Sequence, residues 1–280
     1  MKVGMPIWYG NRPLEKPLKS AKKLGFDYVE ISLDYPWHPN QQLRKQLIEL
    51  SKEYELDLAF HLPIPELNLC HPSNEISIPA MNTCIKFLKS LALLNPSYIN
   101  LHLEFLATTI RFKEVWGEAV KKAAKVATKL HSFSKSYNLF LVFENGLFGG
   151  IGRKIDDLNF MLRKNLNLCL DLGHAVVVSY LPKQEKLKAT RLLKPWIKRF
   201  NKIISVIHWH DVALMKWGIE DHLPLGIGEM NLGEIAGFIR NINCEYLLLE
   251  IHHSLKNKKI IPAKVIDFKN SLKICRELLD

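Results

Sequence analysis

Along the chain, short continuous apolar runs alternate with longer segments whose apolar residues recur every three or four positions. The runs begin near Val3, Tyr28, Leu58, Tyr98, Phe140, Leu168, Ile204 and Leu247, spaced by roughly 25 to 45 residues. Unbroken apolarity, rather than strict alternation, marks parallel strands covered on both faces. Between them the helical period predicts helices over Pro13–Leu24, closed by Gly25, and over Gln41–Tyr54, with Leu43, Leu47 and Leu50 on one face. Further helices are expected over Ile78–Leu94, Phe112–Tyr137, Asp156–Arg163, Lys183–Phe200, Leu232–Arg240 and Ala263–Leu279. Eight strands alternating with eight helices predict an α/β chain folded as a (β/α)8 TIM barrel, in one domain spanning residues 1–280. A doubly wound open sheet is the rival topology. It would place a glycine-rich phosphate loop after the first strand, and MPIWYGNRP is not one.

Composition changes this picture little. A hydrophobic fraction of 48% is enough for a large core and excludes a disordered chain. No apolar run has the length of a membrane span, and MKVGMPIWYG lacks the apolar centre of a signal peptide, so no membrane association and a cytoplasmic location are expected. The five cysteines are odd in number and scattered without a C-x-x-C pair, so any metal must be held by histidine and carboxylate. The formal charge of +11 would favour a polyanion or a phosphorylated substrate, but many of the lysines fall on amphipathic segments such as KEVWGEAVKKAAKVATKLHSFSK, where they form a solvated face.

The chemistry lies where the runs end. LAFHLP closes on His61, YINLHLE on His102, LFLVFEN on Glu144 and LNLCLDLGHA on Asp171 and His174. ISVIHWHD closes on His208, His210 and Asp211, and YLLLEIHH on Glu250. One buried histidine or acid at a strand end is most simply a hydrogen-bonded or ion-paired side chain. In a barrel, however, the C-terminal strand ends converge on one mouth, and six of them carrying ligand-type residues point to a metal site.

As an ordered set, FHLP, NLHLE, FENG, LDLGHA, HWHD, DHLPLGIGE and LLLE resembles the xylose isomerase-like barrel superfamily, which includes endonuclease IV and many sugar isomerases and epimerases. In both branches the resemblance implies a divalent metal on Glu144, Asp171, His208 and Glu250. The endonuclease IV branch implies a second on His61, His102 and Glu144, and a third on His174, His222 and a nearby carboxylate. It further implies two or three cations, zinc or else manganese, that activate water against a phosphodiester beside an abasic DNA site. The sugar branch implies one metal that polarises a sugar or sugar phosphate while Glu144 and Glu250 exchange protons at carbon and His174 touches the substrate. The extra imidazoles His61 and His102 favour the hydrolase, which is the expectation here; a metal-dependent isomerase or epimerase is the alternative, and a barrel kept only for binding a third class.

Several positions depart from the nuclease pattern. That pattern places Asp two residues before the histidine of DHLPLGIGE, where this chain has Glu220 before His222. Residues two apart in an extended segment face the same way, so Glu220 rather than Asp221 is the expected ligand. The nuclease's N-terminal histidine and glycine stretch and the tyrosine after the third strand are replaced here by VGMPIWYGN and by Ile64 or Pro65. Glu30 of GFDYVEISL and His210 of HWHD look more like the sugar branch. Asn145 is expected to orient Glu144, and Trp8, Trp37, Trp209 and Trp217 to lie near strand ends or the following loops, where they either stack on a sugar face or an unstacked base or, at least as readily, pack in the core or rim. His71, His252 and His253 lie near the site but match no motif position, and His38 and His131 read as surface residues.

Overall fold

The computed structural model describes residues 1–64, 66–147, 149–180 and 188–280. Pro65 and the predicted helix start at Lys183 lie outside the described residues. Eight parallel strands close a barrel: β1 (Lys2–Ile7), β2 (Tyr28–Ser32), β3 (Asp57–His61), β4 (Ile99–His102), β5 (Leu141–Glu144), β6 (Leu168–Asp171), β7 (Ile204–His208) and the last, β10 (Tyr246–Leu248), which pairs with both β7 and β1. Each begins within one residue of its predicted start. The barrel strands are buried along almost their whole length, which is why their sequence shows continuous apolarity.

Helices cover the outside. They are α1 (Glu15–Leu24), α2 (Gln41–Tyr54), α3 (Asn74–Leu91), α4 (Lys113–Ser136), α5 (Asn159–Lys164), α6 (Leu172–Ser179), α7 (Ala189–Phe200), α8 (Leu232–Ile239) and α9 (Val265–Leu279). Gly25 ends α1 in the left-handed region at φ 89°, its N–H donating to the carbonyls of Ala21 and Lys22. α3 begins four residues before the predicted Ile78 and carries Pro79 inside it. His131, expected at the surface, is buried in α4.

Three elements were not anticipated. α6 begins directly from the end of β6, and two antiparallel hairpins stand on the same rim: β8 (Asp211–Met215) with β9 (Gly218–Leu223), and β11 (His253–Lys256) with β12 (Lys259–Pro262). Both were hidden because hairpins of a few residues leave little periodicity beside the stronger signal of the barrel strands.

The bore of the barrel fixes the site. Tyr28, Ala59, Tyr98, Val142, Cys169, Val206, Tyr246 and Leu248 form a buried cluster, with the Tyr28 and Tyr98 hydroxyls 3.2 Å apart. Side chains on a strand alternate, so residues two positions farther on return to the same interior. Those residues are Glu30, His61, Asn100, Glu144, Asp171, His208 and Glu250, with His102 four beyond Tyr98. The aromatic plug and the polar ring above it are two successive layers of one alternation.

Candidate metal centre at the barrel mouth

Glu144 stands at the middle of the ring. Its Oε2 lies 3.5 Å from His61 Nε2, 3.2 Å from His102 Nε2 and 3.4 Å from His208 Nδ1, while Oε1 lies 3.2 Å from His174 Nδ1. Asn100 donates its amide to Oε2. His208 Nδ1 also faces Glu250 at 3.0 Å and Asp171 at 4.0 Å, so three carboxylates surround one nitrogen. Behind it, His208 Nε2 faces Glu30 at 3.5 Å.

These groups are almost wholly buried, and their electrostatics follow from that. Burial alone would raise the carboxyl pKa of Glu144, yet His102 and His208 outweigh it and hold the group well below the usual carboxylate range. Glu250 is lowered in the same way, against its burial, chiefly by His208. The imidazoles answer in kind. Burial works against a charge on His61, but Glu144 and the neighbouring acids Glu30 and Glu250 carry its pKa up to about 9. His174 is likewise taken, against its burial, to about 9 by Asp171 and Glu144.

The arrangement brings together most of the residues read from the strand ends. His61, His102 and Glu144 present ligand atoms within 4.8 Å of one another, as do Glu144, Asp171, His208 and Glu250. A third group joins Asp171, His174, His210 and His222, and a fourth His222, Glu250 and His252. Glu220 joins none of these groups: its carboxylate meets His253 Nε2 at 2.8 Å and Trp217 Nε1 at 3.3 Å. β9 is not regularly extended between Glu220 and His222: its pairing with β8 shifts register between Asp211 and Ala213, and His222 itself has a φ of 52°. Asp221 instead accepts a hydrogen bond from His222 Nδ1 at 2.8 Å.

The expectation for Asn145 is corrected, and the tryptophans divide between core and surface. Asn145 does not hold Glu144; its amide brackets the backbone of Asp171, donating to the carbonyl at 3.0 Å and accepting from the N–H at 2.8 Å. Trp209 is fully buried in the core, whereas Trp8 and Trp217 are exposed and Trp37 packs edge-on against Tyr9. Sequence reading missed Asn100 in the ring and left His252, which groups with His222 and Glu250, without a role. Asn100 was open to discovery, because it lies two residues before His102 on the same face of β4.

The donor set fits a divalent cation. Glu144, Asp171 and Glu250 concentrate negative charge among buried groups, which only a cation or imidazolium can balance. Glu30 Oε2, His102 Nδ1, Glu144 Oε1 and His208 Nε2 are buried without a hydrogen-bond partner among the described residues. Mixed imidazole and carboxylate donors suit zinc and manganese.

The profile of the xylose isomerase-like TIM barrel matches residues 18–269. The chain belongs to that family. Among solved structures, the fold is similar to that of a D-tagatose 3-epimerase-like protein, with a TM-score of 0.77 at 19% identity over 100% of this chain and 97% of the other. It is also similar to a 3-keto-D-glucoside 4-epimerase from E. coli, with a TM-score of 0.71 at 13% identity over 99% of each chain. A Thermus thermophilus protein soaked with zinc chloride gives 0.73 at 20% identity over 99% of this chain and 98% of the other. A sequence search of curated proteins found no match. The family is one of metal-dependent enzymes. No helix among the described residues is long and apolar enough to cross a membrane.

Proposed function

We propose that this protein is a divalent-metal-dependent isomerase or epimerase of a small sugar or sugar phosphate. The observation that carries the reading is the pair Glu144 and Glu250, both facing His208 Nδ1 at 3.4 and 3.0 Å with Asp171 beside them. Structural neighbours whose names are those of sugar epimerases support it over abasic-site DNA as substrate.

Glu144, Asp171, His208 and Glu250 would hold the cation. Bound there, a cation would supply Lewis-acid polarisation of a sugar carbonyl and the neighbouring hydroxyl, which would acidify the C–H of the hydroxyl-bearing carbon. Glu144 and Glu250, both held ionised by their histidine neighbours, are the bases that take a proton from carbon and return one to it. His174 donates Nδ1–H to the Asn145 carbonyl at 3.1 Å, which leaves Nε2 to meet a substrate oxygen. The exposed rings of Trp8 and Trp217 offer apolar faces for a sugar.

A second reading rests on His61 and His102. A one-metal isomerase has no chemical need for two imidazoles on Glu144, whereas phosphoester hydrolysis uses clustered cations to stabilise attacking and leaving oxygens. Purified protein is incubated with a panel of ketoses and ketose phosphates, and separately with an abasic-site duplex. Epimer or aldose formation that falls at least about a thousandfold in Glu144→Gln supports the first reading. Strand cleavage without sugar conversion refutes it and establishes the second.

A further inference from the structure

His210 lies in a group whose geometry would admit a cation together with Asp171, His174 and His222. Its hydrogen bonds argue for a different task. The backbone N–H of His222 points at His210 Nδ1 at 2.8 Å, and an amide N–H can only donate. Nδ1 therefore carries the lone pair and the ring proton sits on Nε2. The Asp211 carbonyl, 3.3 Å from Nδ1, does not alter this, because a proton on Nδ1 would collide with that of His222. Nε2 in turn lies 3.1 Å from both carboxylate oxygens of Asp171.

We infer that His210 is a positioning residue: a neutral imidazole that donates Nε2–H to Asp171 and fixes that carboxylate toward the cation, and is not itself a ligand. The inference rests on the reading of Asp171 as part of the cation site. The surroundings are built for this ring. His210 and Asp171 are wholly buried, and the His222 ring stacks on His210 with centroids 4.2 Å apart and planes 13° apart. Gly173 gives the ring its space, since a Cβ there would lie 1.9 Å from His210 Cε1. The same contact ties His222, with its left-handed backbone, to the end of β6.

The test uses full-length protein labelled with 15N-histidine, with long-range proton–nitrogen spectra recorded before and after zinc loading. His210 should keep its proton on Nε2 in both states. Zinc titrations follow with His210→Gln, which can still donate to Asp171 and accept from His222, and with His210→Leu, which can do neither. His210→Leu should bind zinc about 10- to 100-fold more weakly at unchanged stoichiometry, and His210→Gln should recover most of that loss. Loss of the Nε2 proton on loading, loss of one zinc equivalent in His210→Leu, or equal affinity of all three proteins would each overturn the inference. Wild-type protein that takes up no zinc would remove the cation-site reading as well, a result distinct from zinc uptake that strips His210 of its proton.

Discussion

Gly173→Ala is the sharpest structural test of how the mouth is packed. Gly173 lies in α6 with no left-handed backbone, so alanine by itself would stabilise that helix by about 1 kcal/mol. Against this stands the His210 ring, whose Cε1 would sit 1.9 Å from the new Cβ, well inside any non-bonded contact. A flexible side chain would swing aside, but this ring is fully buried, bonded through both nitrogens and stacked on His222. Displacing it breaks one neutral hydrogen bond, worth about 1 kcal/mol, and the donation to the Asp171 carboxylate, worth about 1.5–3 kcal/mol. The net expectation is a loss of about 1.5–3 kcal/mol once the helix gain is subtracted. Urea unfolding of the metal-free variant measures it. The double-mutant cycle with His210→Ala decides the cause, because in that background Gly173→Ala should be neutral or stabilising. A single variant as stable as wild type, or one equally destabilised in both backgrounds, would refute the reasoning.

Further outcomes follow from the same contacts. In metal-free protein the folded-state pKa values of His61 and His174 stand near 9 against an ordinary 6.5, so the stability they confer is complete below about pH 6.5 and declines as pH rises through about 9. Denaturant midpoints between about pH 6 and 9.5 should therefore fall, and the fall should flatten in Glu144→Gln, which removes a carboxylate shared by both imidazoles. Asp211 accepts N–H donors from Val212, Gly226, Gly228 and Met230 at 2.9 to 3.0 Å, which makes it the anchor of the loop after β9. Asp211→Asn turns one of those acceptors into a donor and should cost about 2–4 kcal/mol in urea unfolding while leaving zinc stoichiometry unchanged.

The barrel was legible in the sequence because its strands are buried on both faces and its helices on one, and each condition leaves its own periodicity. The same alternation that plugs the bore with Tyr28, Tyr98 and Cys169 puts Glu30, Asn100 and Asp171 one layer above, so the ring of strand-end acids and imidazoles was already implied by order along the chain. Beyond the strand ends that logic stops, because loop direction is set by hydrogen bonds to distant residues. Local spacing could not show that His222 turns left-handed and leaves Glu220 on His253, or that Asn145 grips the backbone of Asp171 rather than Glu144. Nor could it tell Trp209, sealed in the core, from Trp217, which stands in solvent. Sequence determined which side chains reach the mouth; tertiary structure decided which nitrogen faces which oxygen there. Tautomer and ligand direction depend on partners tens of residues away, which no periodicity records.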